Sequence, residues 1–268
     1  MKVFVESIGI TGPGMLGWEN TRPVLRGEAE LVIEPVPPLK PKALPPAMLR
    51  RTTKHIRMAI EVASQTLANA DSGDFEFASV FTASENDAEI TDEICRAVVS
   101  EEPFIAASSF NNSVSNAAVG TWSIARKTQN PTTCVTGYDF SFSVGLLEAA
   151  SQVVAEDRNV LLVSHDVIGP EPLWSLRPVQ HDFGVGLLLT TQATPNSLAQ
   201  LEINLLHEPS SETTMQDDRL EAIRGDNPAA RSLPILQLLA NRQDGQVVLP
   251  YHDQSFVQVD ITHDCYVA

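Results

Sequence analysis

The stretch from Pro131 to Val153 holds the one arrangement in this 268-residue chain shaped for covalent chemistry. Pro-Thr-Thr-Cys-Val-Thr-Gly-Tyr-Asp runs into Phe-Ser-Phe-Ser-Val-Gly-Leu-Leu-Glu-Ala-Ala, and the pattern reads as a strand, a tight Gly turn and a helix. That is the geometry of a nucleophile elbow, which lifts a Ser or Cys onto a strained turn at the helix start. At the junction this chain has Asp139, a poor candidate for acyl transfer. Asp139 is expected to cap the helix: an N-cap carboxylate accepts first-turn amides and opposes the helix dipole, worth about 1 kcal/mol. The nearest thiol, Cys134, lies five residues earlier in the strand, where Cys behaves as a small hydrophobe. A nucleophilic thiolate gains most from a helix N-terminus or a cationic neighbour. Were the chain a small stand-alone acyltransferase or thioesterase, Cys134 would be its nucleophile and His165 its base.

Other chemistry is less well supported. Gly12-Pro13-Gly14-Met15-Leu16-Gly17 matches the GxGxxG string, follows a strand, and precedes Leu31 to Glu34, a candidate second strand ending in an acid. A dinucleotide turn must open a helix aimed at the pyrophosphate, and Trp18 to Gly27 is short and contains Pro23, so the string reads as a structural turn. Of the six histidines, four precede Asp, but adjacent side chains diverge on both helix and strand. Without an HExxH or a His-Cys cluster no metal site is expected, and no cofactor is implied. Three widely spaced cysteines, none in a CxxC pair, are expected to be reduced thiols.

A net charge of −16 argues against binding nucleic acid, whose backbone requires clustered cations. No apolar run approaches the roughly 20 residues of a membrane span, and the N-terminus lacks a signal-peptide core, so a cytoplasmic protein is expected. The charge is uneven: between Lys40 and Arg57 lie six cations (Lys40, Lys42, Arg50, Arg51, Lys54, Arg57) and no acid. That stretch is either a solvated helix start or a docking patch for an acidic protein, with Arg50, Arg51 and Lys54 as its candidate contacts.

The elements that must position these residues follow from periodicity. Strands are predicted at Val3 to Ile10, Ser79 to Ala83, Thr132 to Val135, Val160 to Ser164, Val185 to Thr191, Leu201 to Leu206, Val247 to Pro250 and Phe256 to Ile261. Helical spacing marks Ile56 to Leu67, Val144 to Val154 and Leu233 to Ala240, with Glu89 to Val99 a further helix. Alternating strands and helices predict an α/β fold with βαβ crossovers and a sheet covered on both faces. Five prolines between Val36 and Pro46 make that segment an extended surface connection, and Glu208 to Asp218 reads as a loop. The length suits one unit, residues 1–268.

These segments, in this order, resemble the β-ketoacyl synthases of the thiolase superfamily. Ile8 to Gly14 is similar to that family's opening strand and turn, and Arg57 to Ala63 to its first long helix. Asn116 to Ala125 resembles the interface helix before the nucleophile strand, and Phe183 to Leu189 the Gly-bearing strand that ends the first half. The resemblance implies a thiolase-like ketosynthase fold with a complete N-terminal half, residues 1–195, and a truncated C-terminal half, residues 196–268. Counting from the interface helix puts Asp139 at the family's catalytic Cys. The family's catalytic histidines lie in His-Gly-Thr and Gly-His motifs, and this sequence has no His-Gly or Gly-His pair.

Without thiolate or enolate-stabilising donors, decarboxylative condensation by the chain alone is implausible. The resemblance narrows to the Cys-less chain length factors of aryl polyene and related type II polyketide or fatty acid pathways. It implies a non-catalytic subunit that heterodimerises with an active β-ketoacyl synthase working on acyl carrier protein, which the subunit meets either directly or only through that partner. Ser109, Phe110, Asn116, Trp122 and Cys134 would then lie at the interface or tunnel, with Ser108 to Phe110 and a helix from Asn112 to Ile124 forming the contact. Ser109 and Phe110 would sit near the tunnel floor.

Overall fold

Runs of β-branched and apolar residues bounded by Gly, Pro and polar clusters become strands at every predicted place. The computed structural model describes residues 1–70, 76–263 and 265. The chain opens with β1 (Lys2–Gly12), β2 (Met15–Leu16) and α1 (Trp18–Leu25), then α2 (Pro46–Leu49), α3 (Lys54–Asn69) and β3 (Phe77–Thr82). It continues through α4 (Ala88–Val98), α5 (Ala107–Asn112), α6 (Ala117–Arg126), β4 (Thr132–Val135), α7 (Ser141–Glu156), β5 (Asn159–Asp166), α8 (Leu173–Leu176) and β6 (Phe183–Thr190). The last part holds β7 (Ala199–Leu206), α9 (Asp218–Asp226), α10 (Leu233–Asn241), β8 (Gly245–Pro250) and β9 (Phe256–Thr262).

The strands form one sheet in the order β4-β3-β5-β6-β1-β7-β9-β8, with β2 folded back on β1. Its β4-β3-β5 portion is parallel, linked by helical crossovers as predicted. From β6 onward neighbours are antiparallel. The C-terminal strands join this same sheet: β7 pairs along the first residues of β1, and β9 and β8 continue outward.

Side chains alternate between the two faces, as a pleated strand requires. Leu161 and Val163 of β5 join Phe81 in a cluster under α3 and α6. Val160 and Leu162 join Val80 in the larger cluster under α7, α10 and α1. The α3 face is very close to the sheet, and glycine makes this possible. A Cβ on Gly186 would lie 2.1 Å from Thr66 Oγ1, and one on Gly9 2.4 Å from the Val62 carbonyl oxygen.

Several expectations need revision. Leu31 to Glu34 is not a strand: its carbonyls are met singly, that of Glu34 by Gly14 N–H at 3.1 Å and that of Leu31 by Arg219 Nη1 at 2.7 Å. The GxGxxG string, by contrast, is a structural turn as expected: it closes the β1–β2 hairpin, with Gly14 at φ 68° and a Cβ there only 2.0 Å from the Val32 carbonyl oxygen. The helix expected from Asn112 to Ile124 breaks at residues 113–116 into α5 and α6. A helix unannounced by the sequence, α9, closes the loop after β7.

Candidate functional site

The elbow is built as a strand, a turn and a helix, but its apex is one residue earlier than expected. After β4, Thr136 and Gly137 lead into a single 3-10 turn, Tyr138–Phe140, and then α7. A side chain on Gly137 would put its Cβ 2.4 Å from Val144 Cγ2, so the turn needs glycine for close approach. The left-handed residue is Tyr138, φ 53°, not Asp139. Ser141 Oγ closes the turn by accepting from Gly137 N–H at 3.0 Å.

Asp139 does not cap α7. No side chain caps the 3-10 turn or α7, and the Asp139 carboxylate instead accepts from Arg177 Nη2 at 2.7 Å. An Arg gives a carboxylate a charge-assisted bond, stronger than a bond to a neutral amide, and Arg177 is in reach because the loop after α8 folds over the elbow. Its guanidinium also stacks on the Tyr138 ring, 4.0 Å from the centroid, and donates from Nη1 to Ser84 Oγ at 2.6 Å. Ser84 in turn donates both its N–H, at 2.8 Å, and its Oγ–H to Asp166 Oδ1. Burial raises the pKa of the Asp166 carboxyl to about 7, although the two Ser84 hydrogen bonds pull the other way. Asp166 Oδ2 is buried with no hydrogen-bond partner among the described residues.

A second polar cluster lies on the opposite side of β5. His55 at the start of α3 and His165 on β5 approach Nε2 to Nε2 at 3.1 Å. Burial pushes both pKa values down, that of His165 strongly, with His55 as a further cause. The pair and Cys134 line a cavity of about 20 Å³, room for about one water. Cys134 Sγ donates to the Ser115 carbonyl at 3.0 Å, and burial pushes its thiol pKa up. That is the reverse of what an activated thiolate requires. His165 Nε2 is engaged by His55 and its Nδ1 is buried without a partner, so no hydrogen bond joins it to Cys134 among the described residues.

The other predicted residues divide. Phe110 is 63% exposed on α5, and the neighbouring Ser109 is turned inward, its Oγ donating to Glu93 of α4 at 2.7 Å. Asn116 is exposed at the start of α6. Trp122 needs correction: it faces inward, 1% exposed, against Phe81 in the layer between α6 and α3, because a large apolar ring is better buried than presented on a helix surface. Of the three docking cations, Arg50 and Arg51 are exposed, while Lys54 is ion-paired to the buried Asp182 at 2.7 Å. Sequence reasoning missed Arg177, Ser84, Asp166 and His55. The only local hint was the His165-Asp166 pair, whose side chains point to opposite faces of β5. Among the described residues no group of three or more His, Cys, Asp or Glu could hold a metal ion, and no helix is long and apolar enough to cross a membrane.

The family model described as Beta-ketoacyl synthase, N-terminal domain, matches residues 22–255. No curated protein matches the chain. Among solved structures, a chain of the ketosynthase (ApeO) in complex with its chain length factor (ApeC) from Xenorhabdus doucetiae is similar at TM-score 0.74 and 21% identity. The match covers 97% of this chain and 99% of that one. The ishigamide ketosynthase/chain length factor gives TM-score 0.71 at 13% identity over the same shares. A β-ketoacyl synthase from Burkholderia phymatum STM815 gives 0.63 at 12%, covering 91% of this chain and 71% of that one. At such identities the likeness is one of fold, and it is the thiolase-like ketosynthase fold.

Proposed function

Since the chain belongs to the β-ketoacyl synthase family, we propose that it is a non-catalytic member, a chain length factor that pairs with an active β-ketoacyl synthase. The observation that carries this reading is the elbow: the strand, turn and helix are present, but Tyr138 and Asp139 occupy the apex, the first stacked on Arg177 and the second bonded to it. Neither a phenol nor a carboxylate tied to arginine can hold a growing acyl chain as a thioester. The stand-alone acyltransferase reading lacks comparable support, because the Cys134 thiol is disfavoured as a thiolate.

Two features support pairing. β4 is the outer strand of the sheet, and Pro131 O accepts from Ser79 N–H on its inner side. Backbone groups alternate sides along a strand, so those of Thr132 and Cys134 point outward, where no described backbone group meets them. The opposite edge is covered, since Thr213 bonds both the N–H and the C=O of Val248 on β8. An open edge invites another strand. Beside it α6 exposes Ile124, 69% accessible, and α5 exposes Phe110. In this reading the partner's strand continues the sheet at β4, and Phe110 projects toward its acyl tunnel, limiting chain length by bulk. The continuous sheet also supports residues 1–268 acting as one unit, with the sheet shared across residues 195 and 196.

The exposed Arg50 and Arg51 are the proposed contacts for an acyl carrier protein. Asn112 Nδ2 donates to the Arg51 carbonyl at 2.8 Å, which ties that turn to α5. Co-expression with a β-ketoacyl synthase followed by size-exclusion chromatography tests the reading: a one-to-one complex that condenses acyl thioesters, with the chain inert alone, is expected. Turnover by the purified chain alone overturns it.

A further inference from the structure

The Pro-rich segment after α1 leaves a cleft of about 360 Å³ between itself, the first turns of α3 and the segment that follows β5. That size lies at the lower end of the roughly 300–1,000 Å³ typical of small-molecule sites. Val36, Leu39, Met58 and Ile168 make its walls apolar, together with the rings of Pro35, Pro37 and Pro38. Proline has a fixed φ and no N–H, so Pro35, Pro37 and Pro38 stiffen this wall and reduce the donors that a greasy occupant would strand.

Two cations stand in the cleft, in different states. Lys54 is neutralised by Asp182. Arg57 is half-buried, and its recorded bonds go to neutral oxygens: Nε to Thr52 Oγ1 at 3.2 Å and Nη2 to the Leu49 carbonyl at 2.8 Å. Glu89 feels its field but makes no ion pair with it among the described residues. A half-buried guanidinium whose hydrogen bonds go to neutral oxygens, held at an apolar wall, keeps bonding capacity for an anion, because charges partly removed from water are normally paired directly. Among the charged residues that line the cleft, Lys54 and Arg57 outnumber Asp182, and Glu89 lies near enough to feel all three.

We propose that this cleft binds an anionic amphiphile: a carboxylate or phosphate head on Arg57, and an unbranched apolar tail along Val36, Leu39, Met58 and Ile168. The head gives Arg57 a direct anionic partner through charge-assisted hydrogen bonds, and a guanidinium presents a fork matched to either group. The tail removes apolar surface from water. The site is separate from the elbow and stands whether or not the chain pairs with a ketosynthase.

The test uses the full-length chain with methyl-labelled methionine, titrated with octanoate and with octyl phosphate and followed by the Met58 methyl resonance and by calorimetry. Saturable binding that shifts Met58 is expected for at least one of the two heads, and the preferred head identifies the source as a fatty-acid-like or a phosphate-headed ligand. Octanol and octyltrimethylammonium, which have the same tail without an anion, should bind about tenfold more weakly or worse. Arg57→Gln should lose a similar factor. Val36→Glu, on the strap, sets a carboxylate in the apolar path and should abolish binding even if Arg57→Gln fails to fold. Absence of saturation with both anions, equal affinity for the cationic analogue, or unchanged binding by Val36→Glu overturns the proposal.

Discussion

Asp166→Asn is predicted to change how the stability of this chain depends on pH. Burial holds the folded-state carboxyl near pKa 7, against an ordinary value of 3.8. Between those two values the folded chain keeps a proton that the unfolded chain has lost. This group's contribution to stability is therefore fully present below about pH 4, falls as the pH rises, and is gone above about pH 7. At 1.36 kcal/mol per pH unit, the interval from 3.8 to about 7 corresponds to a loss of about 4 kcal/mol. Asn keeps a carbonyl oxygen for the Ser84 N–H and Oγ–H but cannot ionise. Its stability should match wild type near pH 4 and exceed it by about 4 kcal/mol near pH 8. His55 and His165 act in the opposite sense, since their lowered values make stability rise as the pH climbs toward 6.5. They are present in both proteins and cancel in the difference. Urea unfolding at several pH values, followed by tryptophan fluorescence, measures that difference. A wild-type-minus-variant difference that stays flat within about 0.5 kcal/mol across the range would refute the reasoning. Asp166→Ala, which removes the acceptor as well, should lose stability near pH 4, where Asn does not.

Further outcomes follow from individual contacts. Phe110→Ala should lengthen, and Phe110→Trp shorten, the products of the complex with a ketosynthase, as read by mass spectrometry; identical products from both would remove Phe110 from the tunnel. Asp139→Asn, by contrast, should leave condensation largely intact. Gly186→Ala should cost roughly 1 to 3 kcal/mol in chemical denaturation by pushing α3 off the sheet, and adding Thr66→Ala should recover most of it. No recovery in the double variant would show that the Thr66 contact is not the cause. Iodoacetamide should label exposed Cys95 about tenfold faster than Cys134 near pH 8, because burial disfavours the Cys134 thiolate. Equal rates would return Cys134 to consideration as a nucleophile.

The strands were legible because alternation and β-branched runs between turn residues leave little else for those segments to do. So were α3, α7 and α10, whose apolar residues recur at helical spacing. Helix α9 was not, because only Leu220 and Ile223 mark its inner face. Its buried Arg224 looks like a solvent residue until Glu212 and Glu221 are seen to pair with it. The break between α5 and α6 was hidden as well, since Ser-Val-Ser-Asn carries no proline or glycine to announce a turn.

At the elbow, the sequence by itself determined that a strand, a glycine turn and a helix exist and that no Ser, Cys or catalytic histidine motif stands where acyl transfer needs one. These are local matters of residue type and spacing. Tertiary structure alone decided that Tyr138 rather than Asp139 takes the left-handed turn, and that Arg177 stacks on its ring. It also decided that Ser84 and Asp166 complete the chain behind Arg177, and that His55 meets His165. These partners lie between 38 and 110 residues apart. Periodicity reports which face a side chain takes, whereas these contacts depend on which strands become neighbours and how far a crossover loop folds back.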